Sequence, residues 1–198
     1  MPKLRRKFIA DMKSGGFNAV AIALKDYEGK VFVRYVPLSM QTGAFVNAIP
    51  DLPGTVRDFK DAGIYTIARI AIFKDDHLAR ARPDLAVHFP DGRIWVNDKG
   101  TAWVDPYKKE IWEYAVDIAS RAALAGFDEI QYDYIRFPSD GKTRQCRYSR
   151  KDHSPATASE ALREFLTLAR ERLKPLGVKI SICTFGLTPS VNNGMGIG

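Results

Sequence analysis

The sequence is poor in the residues that build disulfide-stapled, metal-centred or membrane-spanning proteins. Only two cysteines, Cys146 and Cys183, occur in 198 residues, too few for a disulfide scaffold or a four-cysteine zinc site. The three histidines, His77, His88 and His153, lack metal-ligand spacing, so neither a metal nor another cofactor is expected. No apolar run can cross a bilayer: the longest, Phe17 to Leu24, is far too short and contains Asn18. The opening residues, Met1 to Lys7, are charged and amphipathic, and no apolar core follows them as a signal peptide requires. The compartment stays open, because a further N-terminal segment could carry an export signal. Internal repeats and low-complexity tracts are also lacking.

What is there is globular. Hydrophobic residues make up 45% and charged residues 27%, inside the range of folded domains, and the length suits one domain. The net charge of +7 favours an anionic partner in principle. Much of the excess is local, however: Lys142, Arg144, Arg147, Arg150 and Lys151 fall in one stretch, and Lys3, Arg5, Arg6 and Lys7 in another. Two solvated basic segments explain this more simply than a nucleic-acid surface, and no nucleic acid is expected as partner.

Hydrophobic periodicity alternates between helix and strand. Residues 2–14 read as a helix with Leu4, Phe8 and Met12 on one stripe, stopped by Gly15-Gly16. Residues 17–25 read as a strand, 53–62 as a short helix closed by Gly63, and 64–73 as a second strand. A long loop follows from Lys74 to Val104. Asp105-Pro106 has the form of a helix start, and Ile111, Tyr114, Ala115, Ile118, Ala122 and Ala125 recur at helical spacing up to Gly126. Residues 127–137 read as the third strand and 138–156 as a polar, basic loop. Thr157 and Glu160 have capping-box spacing ahead of a helix carrying Leu162, Phe165, Leu166, Ala169 and Leu173. Pro175 and Gly177 stop it, and 178–185 read as a fourth strand.

Such alternation implies a parallel sheet, either a small open α/β sheet or about half of a (β/α)8 barrel, which needs eight strands and roughly 250 residues. The strand faces decide between them. Side chains alternate along a strand, so one face carries Ile130, Tyr132, Ile70 and Ile72. The other mixes small residues with Lys25, Arg69, Glu129, Gln131 and Asp133. A sheet covered by helices on both sides would be apolar on both faces; a barrel lumen accommodates small and paired polar residues.

In parallel α/β folds chemistry gathers at the carboxyl ends of strands. There the sequence offers Lys25-Asp26, Lys74-Asp75, Asp133, Arg136 and Cys183. Asp133 is the leading candidate. A carboxylate among barrel strands must be paired or neutral, and Arg69 and Lys25 are possible partners on neighbouring strands. It could attack a sugar carbon or stabilise an oxocarbenium-like transition state; alternatively it only neutralises Arg69. Asp26 and Asp75 could supply a second carboxylate or cap the chain that follows. Trp95, Trp103, Tyr107 and Phe89 could stack on sugar rings or pack a long loop. Gly141-Lys142-Thr143 matches the end of a phosphate loop, but Arg136 occupies the position of its first glycine, which removes that reading. Cys183 reads as a small core residue, and a Cys146–Cys183 disulfide has no support.

Three segments carry a resemblance: Ala68 to Asp75, Ala102 to Pro106, and above all Gly126-Phe-Asp-Glu-Ile-Gln-Tyr-Asp-Tyr-Ile-Arg-Phe-Pro138. They are similar to the bacterial glycoside hydrolase-like domain family that was long classed as a domain of unknown function, a TIM barrel related to amylase-like and chitinase-like hydrolases. The similarity extends over nearly the whole chain, including Phe185-Gly186-Leu187 and Met195 to Gly198. It implies an incomplete single domain over 1–198, a partial (β/α)8 TIM barrel of about strands 2–5 of 8 with their helices. It also implies that an acidic residue is common where Cys183 stands, and that Gln131 and Ile135 replace two acids of the chitinase-type third strand, leaving Asp133.

The expected function is hydrolysis of a polysaccharide or oligosaccharide. Asp133 would be nucleophile or stabilising carboxylate, Asp26 and Asp75 secondary site acids, and Lys25, Arg69, Trp103 and Arg136 the residues shaping the pocket. The alternatives are a non-catalytic carbohydrate- or cell-wall-binding barrel and an inactive truncated remnant, whose open sheet edges would favour self-association.

Overall fold

The computed structural model describes residues 2–184. Four parallel strands, β1 (Ala19–Lys25), β2 (Tyr65–Ala71), β3 (Glu129–Asp133) and β4 (Lys179–Ile182), lie side by side in chain order. Six α-helices accompany them among the described residues: α1 (Lys3–Ser14), α2 (Pro37–Gln41), α3 (Leu52–Asp61), α4 (Asp76–Ala81), α5 (Lys109–Leu124) and α6 (Pro155–Leu173). Each strand therefore returns to the sheet through helical connections, as in consecutive units of a barrel. The architecture is a partial (β/α) barrel.

Strand register sorts the two faces. Thr66, Ala68 and Ile70 of β2 and Ile130 and Tyr132 of β3 are fully buried in a core shared with α5 and α6. Phe165 of α6 is the hub, with its ring edge-on to Tyr132 at 5.2 Å, Phe73 at 6.0 Å and Trp112 at 6.3 Å. Truncating such a ring to alanine costs about 3–5 kcal/mol. On the opposite face Ile67, Arg69, Glu129, Gln131 and Asp133 are only partly buried. Its polar groups are cross-linked: Glu129 accepts from Tyr65 Oη at 3.0 Å and from Ser181 Oγ at 2.5 Å. The alternation read from the sequence thus corresponds to a helix-covered face and a polar face.

Several local expectations are corrected. Asp105 does not cap α5. Its carboxylate accepts from the backbone of Tyr107 at 3.0 Å and Ser149 at 2.6 Å, and Lys108 is the N-cap. The capping box of α6 is Ser154 with Thr157, one turn before the Thr157–Glu160 pair, because Pro155 already occupies the first turn. The stripe on α1 is rotated: Ile9 and Met12 are buried against Phe59 and Ile64, whereas Leu4 and Phe8 are largely exposed. The stretch 74–104 is a folded strap rather than a loop. It contains α4, a 3₁₀ turn at Pro83–Leu85 and antiparallel bridges Ala86–Val104, His88–Ile94 and Val96–Ala102, and it buries Trp95 and Trp103 completely.

Strand three ends four residues early, at Asp133, because Tyr134 adopts φ 50°. Phe185, expected to end the fourth strand, and the segment from Gly186 to Gly198 lie outside the described residues. Both cysteines are free. Among the described residues no helix is long and apolar enough to cross a membrane.

Candidate active site

Asp133 is the last residue of β3, paired in register with Ala71 at the end of β2. Its side chain is 15% exposed and that of Arg69 33%. Arg69 donates from Nε to Asp133 Oδ2 at 2.9 Å and from a terminal nitrogen to the same oxygen. The other oxygen accepts from the backbone N–H of Tyr134 at 2.7 Å. Of the two cations considered for Asp133, Arg69 is the one that pairs with it. Cys183 completes this group. Burial pushes its thiol up, the Asp133 charge pushes it further, and Arg69 acts in the opposite direction.

Lys25 turns instead to Asp75. Its ammonium lies 2.8 Å from Asp75 Oδ2 and donates to the Ala71 carbonyl at 2.7 Å; both side chains are 1% exposed. The contact at Oδ2 is electrostatic and not aligned as a hydrogen bond. Asp75 Oδ1 accepts from Leu78 N–H at 2.8 Å and so caps α4. Gly29 closes over this pair with φ +100°, and a Cβ there would sit 2.1 Å from Asp75 Oδ1. Asp26 holds the turn that carries Gly29, accepting from the N–H groups of Glu28, Gly29 and Lys30 at 2.9–3.0 Å.

The chain turns sharply after Asp133. A non-glycine residue at positive φ is rare and strained, and this strain swings the Tyr134 ring across the ends of β1 and β2. Arg136 lies over that ring at 4.7 Å and over Trp103 at 5.7 Å, and burial lowers its pKa. Trp103 is enclosed and supports Tyr134 edge-on at 6.1 Å. On its other side Tyr134 approaches Tyr27 at 6.0 Å. The Lys74 ammonium lies 4.9 Å from the Tyr27 ring and 5.1 Å from the Tyr134 ring.

Of these side chains Tyr27, Lys74 and Tyr134 border a cleft of about 940 Å³ beyond the carboxyl ends of the strands, together with Glu28, His77 and Lys99. A second cleft of about 800 Å³ runs along the basic loop between Phe137 and His153. Among the described residues no three His, Cys, Asp or Glu side chains converge as a metal site.

The site thus joins Asp133 with Arg69 and Cys183, and Arg136 with Trp103 and Tyr134. Lys25 and Asp75 form a separate buried pair, and Asp26 a turn. Tyr27 and Tyr134 are not singled out by the sequence, and Lys74, which the sequence places at the end of the second strand, gains its role only from the two rings around it. Simple alternation would turn Tyr134 towards the helices, and only its backbone conformation, which no local pattern announces, redirects it.

A family model described as "Putative glycosyl hydrolase domain" matches residues 1–198. A hypothetical protein from Ruminiclostridium thermocellum ATCC 27405 superposes with TM-score 0.78 and 32% identity, covering 92% of this chain and 91% of its own. An α-L-fucosidase from Paenibacillus thiaminolyticus gives TM-score 0.66 at 14% identity over 91% of this chain. An α-galactosidase from Thermus thermophilus gives 0.56 at 16% identity over 90%. The chain spans only 29% and 34% of these two glycosidases, and at such identities they speak for the fold. Among curated proteins none matches the sequence.

Proposed function

The chain belongs to the glycosyl hydrolase domain family that its sequence matches from residue 1 to 198, and from that premise we propose that it acts on glycosidic bonds of a polysaccharide or oligosaccharide through Asp133. The observation that carries this reading is a partly exposed carboxylate at the carboxyl end of β3, on the polar face, held by Arg69. Asp133 would serve as nucleophile or as the anion facing an oxocarbenium-like transition state. Arg69 orients it by fixing Oδ2, leaving Oδ1 aligned by the Tyr134 N–H. Arg136 and Tyr134 shape the mouth, with Trp103 behind them. Lys25 and Asp75 brace the ends of β1 and β2, and Asp26 fixes the adjoining turn; these three act through the scaffold rather than on the sugar.

Two-carboxylate hydrolysis needs a second acid about 5–5.5 Å away for retention or about 6.5–9.5 Å for inversion. Glu129 shares the face but lies four residues down the same strand, about 13 Å at the rise of a β-strand, and is engaged by Tyr65 and Ser181. We therefore read residues 1–198 as one incomplete barrel domain in which Asp133, and not Glu129, is the carboxylate that acts on the sugar.

The test is release of reducing sugar from a panel of bacterial wall glycans and other polysaccharides. Wild type should release sugar, and Asp133→Asn should reduce release at least 1,000-fold with an unchanged melting temperature. Cys183 beside Asp133 favours a second reading, a barrel that binds carbohydrate without cleaving it. Glycan binding by wild type with no release would select that reading.

A further inference from the structure

Resting on the carbohydrate reading above, we infer that the cleft between Tyr27 and Tyr134 takes a sugar carrying an anionic substituent, a ring carboxylate or an ester phosphate or sulfate, with Lys74 as its principal ligand.

The charges around the cleft are unevenly matched. Glu28 pairs with Lys30 at 2.6 Å, and Asp76 pairs with Arg80 at 2.9 Å while accepting from the Ala102 N–H at 2.7 Å. The His77 ring sits 2.7 Å from the carbonyl of Thr42, where its Nε2 must donate. Lys74 and Lys99 remain. Neither ammonium has a carboxylate or a hydrogen-bond acceptor among the described residues, and both line the same cleft. Asp140 acts on Lys74 from a distance, but Arg136 and Lys99 oppose it, and Asp140 Oδ2 already accepts from Asn97 Nδ2 at 2.7 Å. The cleft thus holds two cations in excess of its local anions.

Lys74 is also held differently from a surface lysine. Its ammonium is fixed between two aromatic faces, which attract a cation but leave its three donors unsatisfied. Partial burial pushes its pKa down, and an anion bound in the cleft would relieve that cost. The two rings offer apolar faces for the C–H surface of a sugar, and the cation between them addresses a substituent on the same ring. A neutral sugar would use the rings and waste the charge.

The test is calorimetric titration of the wild-type protein with three probes of equal length: an oligogalacturonate, its carboxyl-reduced counterpart, and a sulfated or phosphorylated form of the reduced sugar. We expect at least one charged probe to bind tenfold or more tightly than the neutral one, and the preference to shrink as salt rises from 50 to 500 mM. The tighter of the two charged probes identifies the substituent. Lys74→Gln should abolish the preference; Lys99→Ala, at an exposed position, should lower it about threefold without affecting folding. Equal binding of all three probes, no binding of any, or a preference unchanged in both variants overturns the inference. Because binding is read without turnover, the two proposals separate. A charged preference without sugar release counts against hydrolysis alone, and sugar release without a charged preference counts against this inference alone.

Discussion

Arg69 on β2 and Asp133 on β3 form a forked ion pair across the sheet, with Nε 2.9 Å from Oδ2 and the second carboxylate oxygen aligned by the Tyr134 N–H. The pair stands on the polar face, two residues before the end of β2, so the guanidinium reaches upward to the carboxylate. An aspartate that merely neutralised a buried arginine would have both oxygens enclosed; here both partners retain solvent contact.

Replacing Arg69 should therefore impair function more than folding. The pair is partly exposed, so solvent screening limits its contribution. Arg69→Gln should cost about 1–2 kcal/mol of stability, within the range of a hydrogen-bonded charge, measured by urea denaturation. Sugar release should fall far more than this, with kcat reduced and KM little changed, because Asp133 loses its orientation. Equal kcat in the variant and wild type would detach Arg69 from the site.

The Lys25–Asp75 pair should behave in the opposite way. Both side chains are enclosed, and removing one partner strands the other charge, which costs about 3–5 kcal/mol. Asp75→Asn should lower the urea midpoint accordingly. The double variant Lys25→Met with Asp75→Asn should recover most of the loss, because the Asn side chain can still accept from Leu78 N–H and no charge stays buried. Thermal or urea unfolding of the three proteins checks the coupling.

Cys183 reports on the charge of Asp133. Burial and Asp133 both push its thiol up, and Arg69 pulls the other way, so removing the carboxylate should lower its pKa. Less thiolate means slower alkylation. Iodoacetamide at pH 8 should modify Cys183 more slowly than a free thiol in the wild type, and faster in Asp133→Asn. Cys146, pushed up to about 11 chiefly by burial, should stay slow in both. Mass spectrometry of the labelled peptides separates the two sites, and an unchanged Cys183 rate would place it away from Asp133.

The order of strands and helices was legible because it is carried by periodicity, which local sequence encodes directly. The polar face was legible for the same reason: Arg69, Glu129, Gln131 and Asp133 fall in phase on adjacent strands. That phase put both Arg69 and Lys25 within reach of Asp133 as possible partners, without choosing between them. Lys25 could not be assigned, because a register shift in β1 between Ala23 and Lys25 and the capping role of Asp75 decide its partner. Tyr134 was illegible, since its positive φ is imposed by the turn after β3 and not by its own residue type. The fold of 74–104 was hidden by a pattern of single bridges, too short to register as strands, whose buried Trp95 and Trp103 draw on contacts distant in sequence.

His153 makes stability depend on pH. Its ring packs 4.3 Å from that of Tyr148 and 5.2 Å from that of Phe137, and Nδ1 meets the Tyr107 hydroxyl at 2.8 Å. Partial desolvation by these rings lowers its pKa although the residue stays exposed, against an opposing pull from Asp105. The unfolded chain, with a histidine near pH 6.5, then binds a proton more readily than the folded one. By linkage, the neutral histidine contributes fully above the unfolded value, and this contribution is lost as pH falls from there towards the folded value. The urea midpoint should therefore drop between pH 7.5 and 5.5 in the wild type. His153→Gln, which cannot titrate, should show a shallower drop although it is less stable at pH 7.5 for want of the ring. Parallel slopes for the two proteins would remove His153 from the acid response.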